Sequence, residues 1–211
     1  MAQSIFHCSI HIPPLSKVRD LLSPKSEKGY QEVCLRLNAN EAVGNVVRLV
    51  DDKSGLLEIL SLAQTRRCVR ATKSNEESSR SHLLFTLNFD LLSDKYPSRH
   101  GKLHVCDLAG SERLSKSEST GVSLKETQHI NMSLSNLSHV IEKLQDKSSH
   151  VPYRDSKLTY LLRNSLGGDS KTLAIVCCSP SADHFQESLC SLRFAQRASR
   201  IELKRMSNVS V

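Results

Sequence analysis

Two short stretches carry residues whose types and spacing suit phosphate chemistry. In "DLAGSE", residues 107–112, Asp107 closes an apolar run, where a carboxylate can hold a magnesium-bound water beside a nucleotide. Gly110 has no side chain, so its backbone N–H can approach a terminal phosphate closely. In "NEESSRSH", residues 75–82, Asn75, Ser78, Ser79 and Arg80 sit on a polar stretch just before a strand pattern. Hydroxyls there can ligate magnesium and orient water, and an arginine can form a charge-assisted bond with a carboxylate that moves. Taken singly, each stretch also reads as plain structure, since a strand ending in D-x-x-G is common and a polar octet makes an ordinary solvated loop.

The elements that must position these stretches alternate in type. "FHCSIHI" sets Phe6, Cys8, Ile10 and Ile12 against His7, Ser9 and His11, the period of a half-buried strand, stopped by Pro13 and Pro14. "SKVRDLLSP" reads as one or two helical turns, and "EVCLRL" (32–37) with "VVRLV" (46–50) as a strand pair. From Ser54, Leu56, Leu57, Leu60 and Ala63 fall at helical spacing, with Ser54 or Asp52 as N-cap and basic residues at the far end. "HLLFTLNFDLL" and "KLHVCDL" read as strands, the second with the apolar density of one covered on both faces. Ile130, Leu134, Leu137, Ile141 and Leu144 stripe a long helix over 123–146. "SKLTYLLRNSL" reads as a shorter helix closed by Gly167-Gly168, "KTLAIVCCSP" as a last strand, and Phe185, Leu189, Leu192 and Ala195 as the apolar face of a final helix. Such alternation argues for layered α/β architecture.

At 211 residues the chain has length for one sizeable core. Its seven cysteines form no C-x-x-C pair, which suggests neither a zinc ribbon nor a disulfide framework and fits a reducing compartment. His7 and His11 would lie roughly 13 Å apart along one strand face, too far for one ion, and His100 with His104 repeat that spacing. No long apolar run suggests a membrane span, and the expectation is a soluble cytoplasmic protein without membrane attachment. The excess of 29 Lys+Arg over 22 Asp+Glu favours an acidic partner. Nine aromatics (five Phe, four Tyr), no Trp and no interleaving of basic and aromatic residues argue against nucleic acid.

In this order and separation, "NEESSRSH", "DLAGSERL", "HVPYRDSKLTYLLRNSLGG" and "SLCSLRFAQRAS" resemble the kinesin motor domain, over about residues 31–201 and more loosely over 15–30. The resemblance implies a P-loop NTPase-like α/β core, a mainly β central sheet flanked by helices, occupying 1–203 with a short tail at 204–211. It implies that Asn75, Ser78, Ser79 and Arg80 form a first nucleotide switch, with Ser79 approaching magnesium and Ser78 the attacking water. Asp107 and Gly110 would form the second switch, with Asp107 on the magnesium side, and Glu112 would pair with Arg80 when the pocket closes. ATP with magnesium is the implied cofactor of a complete motor. The helix from 123 is similar to the family's relay helix, and "SLCSLRFAQRASRIEL" with "LKETQHIN" leans towards the C-terminal-motor, minus-end-directed class.

Kinesins seat the nucleotide phosphates on a G-x-x-x-x-G-K-[ST] loop. The eight glycines, at 29, 44, 55, 101, 110, 121, 167 and 168, never open that spacing, and "GGDSKT" at 167–172 departs from it. The family's cradle precedes all the motifs quoted, so the reading is an N-terminally truncated motor core whose P-loop strand is missing between the strands matching 102–107 and 172–178. Unpaired buried edges cost on the order of 1–3 kcal/mol per group, which predicts that the chain neither folds stably alone nor binds ATP.

The family's microtubule-facing stretch corresponds to residues 113–163, where Lys116, Lys125, Lys143, Lys147, Arg154, Lys157 and Arg163, with His150, are the implied contacts to tubulin's acidic surface. Met132 stands where kinesins usually have lysine, and His139 where many have asparagine or aspartate. The resemblance places the protein in the cytoplasm on the microtubule cytoskeleton, at the spindle or centrosome among other sites, with any dimer formed through regions outside this chain. A non-enzymatic chain that docks on microtubules or on another motor is the competing expectation.

Overall fold

The computed structural model describes residues 5–7, 10–12, 18–23, 32–36, 41–43, 45–68, 81–91, 99–111 and 122–202. Two compact units divide the chain, one formed by residues 1–110 with 125–127, the other by 111–124 with 128–211.

The first unit holds all the described strands: β1 (Ile5–His7), β2 (Ile10–Ile12), β3 (Val18–Asp20), β4 (Glu32–Arg36), β5 (Glu41–Val43), β6 (Val47–Leu49), β7 (His82–Leu91) and β8 (Arg99–Asp107). Helix α1 (Lys53–Cys68) joins β6 to the β7–β8 half. Six strands form an antiparallel sheet in the order β5-β4-β3-β2-β7-β8, and β1 pairs with β6 separately. The β7–β8 ladder runs from Leu83 opposite Asp107 to Leu91 opposite Arg99. That register sets the start of β7 beside the end of β8, so Ser81 and the residues just after Asp107 lie at the same end of this strand pair.

Apolar burial between α1 and the sheet holds this unit together. Leu22 and Phe85 pack with Val46, Leu56, Ile59, Leu60 and Leu87, while Leu21, Ala63 and Leu83 form a second cluster. Each fully buried side chain of this size stabilises by roughly 1.5–3 kcal/mol. The cap of α1 is Asp52, whose Oδ1 accepts the Gly55 N–H at 2.8 Å. Leu57, expected on the core face, is exposed, and Ile59 takes its place, because the buried arc follows 56, 59, 60 and 63.

Several expected elements differ. Residues 18–20, read as helical, are strand β3, since pairing on both sides and burial of Val18 and Asp20 outweigh a three-residue local pattern. The opening is two strands in different sheets rather than one. β4 pairs with β5 and β3, and β6 with β1, so 32–37 and 46–50 are not partners. β8 is not covered on both faces: it ends the sheet, with Leu103 and Val105 exposed.

The second unit is helical among its described residues: α2 (Val122–Gln145, in this unit except for Lys125–Thr127), 3-10 turns at Tyr153–Asp155 and Ala182–His184, α3 (Lys157–Leu161), α4 (Arg163–Gly167), and α5 (Phe185–Ala198). Ile130, Leu137, Val140 and Ile141 are buried along α2, and residues 158–162 form the other buried run. Leu134 and Leu144 of the expected stripe are half-buried. "SKLTYLLRNSL" is two five-residue helices meeting at Leu162, with Ser156 capping the first by accepting the Thr159 N–H at 3.0 Å. Residues 171–180 form no strand: no described strand of this unit offers a ladder to join, and Leu173 and Ile175 are largely exposed. Cys177 and Cys178 within that segment are exposed. α5 contains no buried residue, so its expected apolar face is partly open at Phe185 and Leu192.

One buried carboxylate locks the turn after β3. Asp20 is wholly buried; its Oδ1 accepts the Leu22 N–H at 2.8 Å, and its Oδ2 accepts the Val46 N–H. Asp20→Ala strands both donors, so thermal unfolding should show a loss of about 2–5 kcal/mol. A loss below about 0.5 kcal/mol would show that the two amides find other acceptors.

Candidate functional site

The last turn of α1 aims adjacent arginines at two different places. Arg66 Nη1 donates to the carbonyls of Leu21 (2.7 Å) and Ser23 (3.0 Å), fixing the helix end to the turn after β3. Arg67, about 100° further round the helix, donates from Nη2 to the Ser81 carbonyl at 2.6 Å and from Nε to Ser81 Oγ at 3.3 Å. Its Nη1 bonds Asp107 Oδ2. Arg67 is 5% exposed and the Asp107 side chain 64%, so one end of the pair is buried and the other meets solvent.

A second contact closes the same corner. The Ala109 N–H donates to His82 Nδ1 at 3.0 Å. This requires an unprotonated Nδ1, and the environment supplies one: burial foremost, then the Arg67 charge, depresses the His82 pKa to about 4, against a smaller opposing pull from Asp107. Next to Asp107, burial pushes the Cys106 thiol up to about 12, so it stays protonated and unreactive at neutral pH. On the same face of β8, His104 Nδ1 lies 2.8 Å from Thr86 Oγ1, and burial lowers its pKa.

Asp107 and Gly110 thus stand at the end of β8, where the sequence reading put them, with Gly110 half-buried. Asn75, Ser78, Ser79, Arg80 and Glu112 lie outside the described residues, so the expected Arg80–Glu112 pair does too. Sequence reasoning missed the bonds of Arg67, read only as part of a basic helix end, and of His82. Neither has a signal in the linear pattern, because their partners are 14 to 40 residues away. No group of three metal-ligating side chains occurs among the described residues. Asp107 Oδ1 makes no hydrogen bond there, which suits a hard cation or its bound water.

Apart from Lys125, which falls in the first unit, the basic residues are in the second. Lys116 lies outside the described residues, as does the side chain of Lys125 on α2. Lys143 is half-buried in the last turn of α2, and Lys147, His150, Arg154, Lys157 and Arg163 are exposed. Two of them have partners: Lys147 Nζ donates to Glu202 at 2.8 Å, which raises the ammonium pKa, and Arg163 lies 5.5 Å over the Tyr153 ring.

The kinesin motor-domain family model matches residues 15–201. The chain is 44% identical over 194 residues to kinesin-like protein KIN-14G of Arabidopsis thaliana, covering 89% of this chain and 19% of that protein. It is 51% identical over 151 residues to kinesin-like protein KIN-14F of Oryza sativa subsp. japonica, covering 70% and 15% respectively. Among solved structures it superposes with a TM-score of 0.86 at 32% identity on a KIF14 dimer in the two-heads-bound state with AMP-PNP on a microtubule, covering 99% of this chain and 61% of that one. A fast kinesin follows at TM-score 0.83 and 37% identity, covering 99% and 60%. The chain belongs to the kinesin motor-domain family, and its fold is the P-loop NTPase-like α/β fold of that family. It spans about a fifth or less of these two curated relatives.

The His82 contact carries a pH signature. Its pKa is about 4 folded against 6.5 unfolded, so the unfolded chain binds the proton more readily and stability falls as pH drops from about 6.5 to about 4. The full contribution, on the order of 3 kcal/mol, is present above that window. Thermal melts of the wild type and His82→Gln between pH 7 and 4 should show a shallower acid slope in the variant. Parallel slopes would place the titration elsewhere.

Proposed function

We propose that this chain carries the two nucleotide-responsive segments and the track-facing surface of a kinesin-like microtubule motor, and that as these 211 residues it binds microtubules without turning over ATP. The observation behind the first half is the register of β7 and β8: it brings the end of "NEESSRSH" and the start of "DLAGSE" to one end of that strand pair, where Arg67 and His82 hold Ser81, Asp107 and Ala109. A nucleotide's terminal phosphate and magnesium would be sensed at such a corner by Ser78, Ser79, Asp107 and Gly110, with Asn75 alongside and Arg80 and Glu112 closing over them. Magnesium supplies charge neutralisation to the transferring phosphoryl group.

The second half follows from sequence, since no G-x-x-x-x-G-K-[ST] occurs among the 211 residues. Without that nest of backbone N–H groups and its lysine, most of the triphosphate charge has no counterpart. Lys143, Lys147, His150, Arg154, Lys157 and Arg163, with Lys116 and Lys125, supply the attraction to tubulin's acidic surface, and a cytoskeletal location follows.

Pelleting with microtubules should show binding that added ATP does not release, and a fluorescent-nucleotide titration should show no saturable binding. Micromolar nucleotide affinity, or release by ATP, would overturn the inactive reading; failure to pellet at low salt would overturn the track-binding one. Met132 is 53% exposed on α2 and adds no charge. Met132→Lys should raise microtubule affinity about two- to fivefold at low salt, with the gain shrinking as salt rises; equal affinities at low salt would remove residue 132 from the track contact.

A further inference from the structure

The six-stranded sheet ends at β5 on one side and at β8 on the other, and no described strand pairs with the outer side of β8. β5 has three residues, whereas β8 has nine, with no proline among them. Short length and proline are common means of keeping an edge from pairing with another chain, and β8 has neither. Its surface is also apolar on one side of the sheet. Leu103 and Val105 share that face, 49% and 52% exposed, with Phe89 of β7 beside them at 42%. Helix α1 covers Phe85 and Leu87 on the same face but leaves Val105 and Leu103, directly opposite them, open to solvent. Lys102, the exposed cation in mid-strand, alternates to the other face.

We propose that β8 is a pairing surface for a second copy of this chain, the two strands running antiparallel about a twofold axis at Leu103. The strand is complementary to itself in that register. Residue 103 meets 103, residue 105 meets 101, and residue 99 meets 107, so leucine faces leucine and an arginine stands opposite an aspartate twice by symmetry. Val105 of each copy arrives at the other's Gly101, where the Phe89 ring already occupies the place of a side chain, so valine meets an aromatic surface. Asp107 can serve Arg67 and the facing strand together, because its side chain is 64% exposed. Moving the axis to residue 102 sets Val105 against Arg99, and moving it to 104 sets Asp107 against Gly101; either shift loses both charge pairs.

A twofold contact is its own complement, so the pair closes and does not propagate. Nine residues against nine supply about eight to ten ladder hydrogen bonds. A single strand pair roughly 30 Å long buries less than the roughly 1,600 Å² of a standard interface, which makes the association weak, in the micromolar range.

The test is sedimentation velocity on the 211-residue chain from about 2 to about 200 µM, a range that brackets such an affinity. The mass should rise from 23.5 kDa towards twice that value. The melting temperature should rise with concentration as well, as it does when only the folded state associates. Leu103→Lys sets two ammonium groups face to face at the axis and should weaken association at least about tenfold, while Arg99→Glu, setting carboxylate against carboxylate, should weaken it about threefold. A chain that stays monomeric throughout overturns the proposal, as does a dimer that Leu103→Lys leaves at wild-type strength. An unchanged constant for Arg99→Glu overturns the register, and masses growing past the dimer overturn the closed pair. Should Leu103→Lys fail to fold, Leu103→Cys keeps the apolar face, and mild oxidation should join residue 103 of one copy to residue 103 of the other, found by peptide mapping. Absence of that link overturns the proposal too. Neither ATP nor tubulin enters these measurements, so their failure leaves the motor reading intact, and a failed pelleting assay leaves them standing.

Discussion

The bond network of Arg67 is the constraint on which the corner between β7 and β8 depends. A guanidinium at 5% exposure has given up most of its hydration, and such burial is tolerable only where strong acceptors replace the lost water. Here the replacements are a backbone carbonyl, a hydroxyl and a carboxylate, drawn from the ends of two neighbouring strands. Wherever those strand ends go, the arginine must follow or pay a desolvation cost. The facing ends of β7 and β8 are therefore tied to α1.

That helix is held by ordinary hydrophobic packing. Leu56, Ile59, Leu60 and Ala63 press on Leu21, Leu22, Leu83 and Phe85, and the polar contacts of Asp20 and Arg66 pin the turn beneath. The packing is nondirectional and sets only distance and orientation. The hydrogen bonds then choose one arrangement among those the packing permits. Charge at the corner is distributed accordingly: Arg67 helps keep the His82 ring neutral, and the neutral ring accepts the Ala109 N–H.

The basic residues of the second unit follow a different logic. They are exposed for the most part, and exposed pairs such as Lys147–Glu202 contribute little to stability because water competes and salt screens. In the proposed role they would act by attraction over distance, where the summed excess matters more than any single contact. The Arg163–Tyr153 stacking restrains one cation without neutralising it.

Local chemistry made part of this legible in the linear chain. The long amphipathic α2, the helix from 53, and the strands at 82–91 and 99–107, the second ending on Asp107, all follow from side-chain period. What the sequence could not yield were matters of partnership. Residues 18–20 become a strand only because β2 and β4 lie beside them, residues 171–180 lack a strand for want of a described neighbour in their unit, and Leu57 loses its core place to Ile59. Arg67 and His82 gain their roles in the same way. Period and composition are properties of a segment, whereas a hydrogen bond from Arg67 to Asp107 spans 40 residues and exists only once the sheet has set its register and α1 has docked on it.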